Sequence, residues 1–80
     1  MPTILRLVEW YDRFTDTWRG QAPLAASLAE LQHLFGVDPT DPMFDMYPVR
    51  PEHVAALQQG TEQRINLDSY EYFVTAVEGD

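Results

Sequence analysis

Residues 3–11 form the first apolar run of the chain. Ile4, Leu5, Leu7, Val8, Trp10 and Tyr11 are β-branched, aliphatic or aromatic, and no glycine or proline interrupts them. Ile4, Arg6, Val8 and Trp10 share one face; Leu5, Leu7, Glu9 and Tyr11 share the other. Both faces are partly apolar, which predicts a central strand covered on one side and half covered on the other. Asp12-Arg13-Phe14-Thr15-Asp16 is a polar break of hairpin length, and its aspartates are suited to side-chain to backbone bonds in a turn. Thr17–Ala22 is then the returning strand, and Gly20 and Pro23 place it towards an edge.

The period next changes to that of a helix. Ser27-Leu28-Ala29-Glu30 has the spacing of a capping box, Leu28, Leu31, Leu34 and Phe35 recur at helical intervals, and Gly36 stands where a left-handed residue ends the helix. Val37–Val49 reads as a loop, because Asp38-Pro39, Asp41-Pro42 and Tyr47-Pro48 each push the residue before proline out of the helical region. Met43, Phe44, Met46 and Tyr47 give this loop enough apolar mass to pack part of itself down. Pro51 opens a second helix with Val54, Leu57 and Gln58 on its buried stripe, and Gly60 closes it. Gln63–Leu67 reads as a short extended piece. Tyr70–Val77 alternates as a last strand, followed by a frayed acidic end at Glu78-Gly79-Asp80. The predicted order is β-β-α-α-β in one α+β domain over residues 1–80, an antiparallel-rich sheet with both helices packed on one face.

Charge changes this picture. The formal net charge is −8, and residues 38–80 carry −7 of it. One strongly negative side repels phosphates and anionic membranes and speeds encounter with basic surfaces. Apolar content of 45% and ten aromatics place that acidity on a folded surface, not on a disordered tail. There is no cysteine, so disulfides and thiolate metal sites are excluded. The first residues lack a basic n-region and an apolar run, and no stretch approaches a membrane span; the expected location is the cytoplasm.

Catalytic chemistry finds little footing. Ser27 is explained as a cap, Ser69 lies by a turn, there is no glycine-rich phosphate loop, and His33 and His53 match no metal-ligand spacing and read as surface or capping residues. Asp38, Asp41 and Asp45 invite a cation reading, but they lack the spacing of a calcium loop, and turn chemistry accounts for them more simply. We therefore expect no enzyme activity and no cofactor. Phe14, Phe44 and Tyr47 are the aromatics expected at the surface, and aromatic anchors ringed by acids suit a basic protein partner. The expected binding residues are Asp38, Asp41 and Asp45 for steering and pairing and Phe44 and Tyr47 as anchors, with Glu71 and Glu78 as second choices.

Two resemblances follow from these residues. Val8-Glu9-Trp10-Tyr11-Asp12 to Trp18, then Leu28-x-x-Leu31-Gln32-x-Leu34-Phe35-Gly36, Asp41-Pro42-Met43, Tyr47-Pro48-Val49 and Leu67-Asp68-x-Tyr70-x-Tyr72-Phe73 resemble a family of small uncharacterised bacterial proteins over nearly the whole chain. In size and acidity the chain also resembles immunity proteins of bacterial toxin systems, such as contact-dependent inhibition, Rhs and type VI effectors. That resemblance implies a non-enzymatic inhibitor of a cognate, basic toxin domain, a nuclease among the candidates, with DNA mimicry a variant of the same idea. A different class is a structural or regulatory subunit that pairs, or forms a homodimer, through the strand edge at Thr17–Gly20. A metal-dependent or hydrolytic enzyme is the third class, and it lacks ligands in any known order.

Overall fold

The computed structural model describes residues 3–79. The chain runs β1 (Thr3–Asp12), β2 (Trp18–Pro23), α1 (Leu28–Phe35), β3 (Tyr47–Pro48), α2 (Pro51–Gln58) and β4 (Tyr70–Gly79). The four strands form one antiparallel sheet in the order β2-β1-β4-β3. This is the α+β class predicted from the pattern, with β1 central and β2 at an edge.

The long pair is β1 with β4, in unbroken register from Thr3↔Gly79 to Asp12↔Tyr70. Even-numbered residues of both strands therefore share one face. Val8, Tyr72 and Val74 on that face are buried together with Leu31 of α1 and Leu57 of α2, in a core completed by Leu24, Met43, Val49 and Ile65. Both helices thus cover the even face. Leu5, Leu7, Tyr11, Phe73 and Val77 lie on the odd face, which no helix covers; Leu5 and Val77 are exposed there, and Tyr11 meets Phe73 edge-on at 5.7 Å. Thr75, on the same face, is only 6% exposed, and its hydroxyl has no hydrogen-bond partner among the described residues; nothing in the structure explains this.

Local chemistry sets the connections. Asp12 Oδ1 accepts from the amides of Phe14 (2.9 Å) and Thr15 (3.0 Å), which closes the hairpin turn and holds the Asp12 carboxyl below its ordinary pKa. The register of β1 with β2 shifts between Trp10 and Tyr11, leaving Arg19 as the extra residue of a bulge. A Cβ at Gly20 would stand 2.7 Å from the Trp10 ring, so glycine lets Trp10 lie across the neighbouring strand. The capping box of α1 forms as the spacing predicts: Ser27 Oγ accepts from the Glu30 amide, and Glu30 Oε1 accepts from the Ser27 amide. Gly36 ends the helix at φ 65°.

Two details differ from the sequence reading. The additional strand is β3 inside the proline-rich loop, not Gln63–Leu67. The Gln58 side chain takes up the polar groups of that later segment: Nε2 donates to Gln63 O (2.7 Å) and Oε1 accepts from Ile65 N (2.9 Å), so no strand edge is offered there. Glu78 and Gly79 belong to β4 and are paired with β1 instead of fraying; Asp80 lies outside the described residues. His53 takes the capping role that the sequence reading allowed it, from a buried position. It is 8% exposed, its ring centroid is 4.2 Å from that of Phe35, and its Nδ1 accepts from Arg50 N at the start of α2.

Loss of the α1 cap has a defined consequence. Ser27→Ala is expected to lower stability by about 1 kcal/mol in chemical denaturation, with an unchanged folded spectrum. A variant that melts with the wild type would place the helix start elsewhere.

Candidate functional site

The loop from Val37 to Met46 is shaped by its own carboxylates. Asp38 Oδ1 accepts from Thr40 Oγ1 (2.6 Å) and Thr40 N (2.8 Å), bonds that hold its carboxyl below the usual range. Asp41 Oδ1 accepts from Met43 N (2.8 Å), while Asp41 Oδ2 accepts from the Tyr47 hydroxyl (3.1 Å). Burial, with that carboxylate beside it, raises the Tyr47 hydroxyl above its ordinary pKa. The Gln32 side chain of α1 donates to Pro39 O (3.0 Å) and Asp41 O (2.7 Å), tying the loop to the helix.

The decisive anchor comes from the sheet. Arg6, on the even face of β1, donates from Nη1 to Met43 O and from Nη2 to Pro42 O (2.8 Å). Partial burial lowers the pKa of this guanidinium, but its ordinary value is so high that it stays charged. Met43 adopts φ 54°, a left-handed conformation rare for a side chain of its size. The turn sends the Met43 side chain into the core, where it is 1% exposed, and leaves Phe44 outside at 59%. Phe44 then lines a shallow groove of about 140 Å³ with Ile4, Ala76, Val77 and Glu78, at the end of the β1–β4 ribbon that neither β2 nor the helices reach.

The expected binding residues therefore separate. Phe44 and Glu78 meet in one groove, and Asp45 follows Phe44 in the chain. Neither Asp45 nor Glu78 makes a side-chain hydrogen bond or ion pair among the described residues. Asp38 and Asp41 are committed to the shape of the loop. Tyr47 is half-buried against Phe35, with ring centroids 5.9 Å apart and its hydroxyl on Asp41, so it is a packing residue and not the exposed anchor expected from its sequence setting. Glu71 lies near the opposite end of β4 on the odd face, 3.9 Å from Arg13, and shares no surface with Glu78. The sequence reading missed Ile4, Ala76 and Val77 as groove residues. Only the long-range register of β1 with β4 brings them to Phe44. Phe14, exposed as expected at 87%, stands alone on the hairpin turn.

Among the described residues no three of His, Cys, Asp or Glu gather as metal ligands, and no helix is long and apolar enough to cross a membrane. The groove is open and mostly apolar, and Glu78 is the one carboxylate among the residues that line it.

Removing the anchor tests this construction. Arg6→Ala is expected to lower stability by about 2 kcal/mol, since it strips charged hydrogen bonds from two carbonyls, and to make the chain after Pro42 sensitive to limited proteolysis. A loop as resistant as in the wild type would show that Arg6 does not position Phe44.

No curated protein matches the chain. Residues 5–75 match the family described as Domain of unknown function (DUF7683), a stretch that holds all six elements except the outer ends of β1 and β4. The chain belongs to that family.

Proposed function

We propose that this protein is a non-enzymatic binding protein of the immunity type, which occupies the basic surface of a cognate toxin domain through the Phe44–Asp45–Glu78 groove. One observation carries the reading: an aromatic ring is held out of the core by a purpose-shaped loop, beside carboxylates that the fold does not use. Keeping Phe44 in water has no folding benefit, since burying such a ring would contribute about 2 kcal/mol. Exposed carboxylates likewise contribute little to stability but much to steering. The net charge of −8 extends the field that guides a basic partner to the groove.

A second reading, a structural subunit that self-associates through the outer strand β2, is favoured by the half-exposed Trp18 on that strand.

The test is co-expression with the product of the adjacent upstream gene, followed by size exclusion with mass determination. A one-to-one complex that rescues growth is expected. Within it, Phe44→Ala should weaken binding by about 2 kcal/mol, roughly 30-fold, without changing the melting temperature. Asp45→Lys with Glu78→Lys should slow association and flatten its salt dependence. Binding indifferent to all three substitutions would contradict the groove assignment, and a concentration-dependent mass without a partner would favour the second reading.

A further inference from the structure

The strand edges of this sheet are unequal. On the β2 side, Leu24 N donates to Arg6 O (2.9 Å), so the even residues of β1 turn their amides and carbonyls towards β2. The odd residues then face β4, and the ladder register makes odd residues of β4 their partners. Even residues of β4 consequently point away from β1. Val49 N donating to Tyr72 O (2.8 Å) fits this alternation. Beyond Tyr72 and Val74, however, β3 ends: its pairing covers only Tyr47↔Val74 and Pro48↔Phe73. The amides and carbonyls of Ala76 and Glu78 point outward with no backbone partner among the described residues.

The other edges are blunted. On β2, Gln21 and Pro23 face outward, and Pro23 has no amide to offer. β3 is two residues long and ends in Pro48. The free end of β1 is flanked by Pro23 and by the turn through Leu24, Ala25 and Ala26. The edge at Ala76–Gly79 has no proline, no bulge and no lysine, and it forms one wall of the groove that holds Phe44.

We propose that the partner docks here by strand addition: an extended, basic segment pairs with the β4 edge at Ala76 and Glu78, prolonging the sheet where β3 stops. This rests on the binding reading above and names its mode. Backbone bonds to Ala76 and Glu78 hold the segment; the segment residues opposite these two lie on the even face, so an apolar side chain opposite Ala76 enters the groove beside Ile4 and Phe44, an arginine or lysine two residues away meets Glu78, and Asp45, next to Phe44 in the chain, adds to the negative field. Charge selects this occupant over a second copy. An antiparallel pair about Val77 would set Glu78 of each chain opposite Ala76 of the other, two residues from the second Glu78, between molecules that each carry −8.

The experiment titrates the isotope-labelled full chain with an eight-residue peptide that has threonine at its odd positions and valine and arginine in turn at its even ones, so that valine and arginine share one face. The controls are the same peptide with glutamate in place of arginine and a proline-substituted basic peptide. Slowing of Ala76 and Glu78 amide exchange by about tenfold or more, with the basic peptide alone, is expected. Ala76→Pro removes only an outward amide and should abolish binding, whereas Gln21→Pro, the same change on the β2 edge, should not. Should Ala76→Pro not fold, protection of the two wild-type amides decides the matter. Absence of binding, or protection at Gln21 instead, overturns the proposal, as does self-association of the free chain that protects Ala76 and Glu78. Binding that needs Asp45 and Phe44 but survives Ala76→Pro without protecting the two amides overturns strand addition and leaves the groove reading standing. Binding insensitive to Phe44→Ala and Asp45→Lys as well defeats both.

Discussion

The ten-residue pairing of β1 with β4 is the constraint on which everything else depends. It joins nearly the two extremes of the chain, Thr3 to Gly79, and it assigns every residue of both strands to a face. A slip of one residue would move Val8 or Val74 out of the core and bring Leu5 or Val77 into it. Because the register holds, Arg6 stands on the covered face and reaches the carbonyls of Pro42 and Met43. The same register sets Ile4 opposite Glu78 and leaves the outer end of β4 open beside Phe44. Contacts this distant in sequence are slow to form, so the groove is complete only when the whole fold is.

The elements with local chemistry were legible in the sequence. The hairpin turn is written in Asp12, the start of α1 in Ser27 and Glu30, and its end in Gly36; each acts within a few residues of itself. What escaped reading depends on distant partners. Tyr47 and Pro48 become a strand only because β4 lies beside them, and the prolines around them spell a loop. Gln63–Leu67 has the pattern of a strand, but the Gln58 amide and the Tyr72 hydroxyl take its polar groups first. The site followed the same division. That Phe44 would be exposed could be read from its acidic, proline-rich neighbours. Its meeting with Ile4, Val77 and Glu78 could not, and neither could the inward turn of Tyr47 onto Phe35 and Asp41.

The acidic residues do two different jobs. Asp12, Asp38 and Asp41 accept hydrogen bonds from nearby amides and hydroxyls and so shape the turns that carry Phe14 and Phe44. The side chains of Asp45 and Glu78 make no hydrogen bond or ion pair among the described residues, and the binding proposal gives them to a partner. Composition alone makes these groups equivalent. The structure separates them by what each oxygen already touches, and the binding reading rests on the second group.

Residue-resolved amide exchange of the free protein tests the account most directly, because the register and the open edge both appear in one alternating pattern along β4. Thr75 and Val77, bonded to β1, should exchange slowly, while Ala76 and Glu78 between and beside them should exchange at nearly the rate of unstructured chain. Equal protection of all four amides would mean that the edge is already paired within the fold. Equal lack of protection would mean that the β1–β4 ladder stops before the groove. Either result would contradict the account.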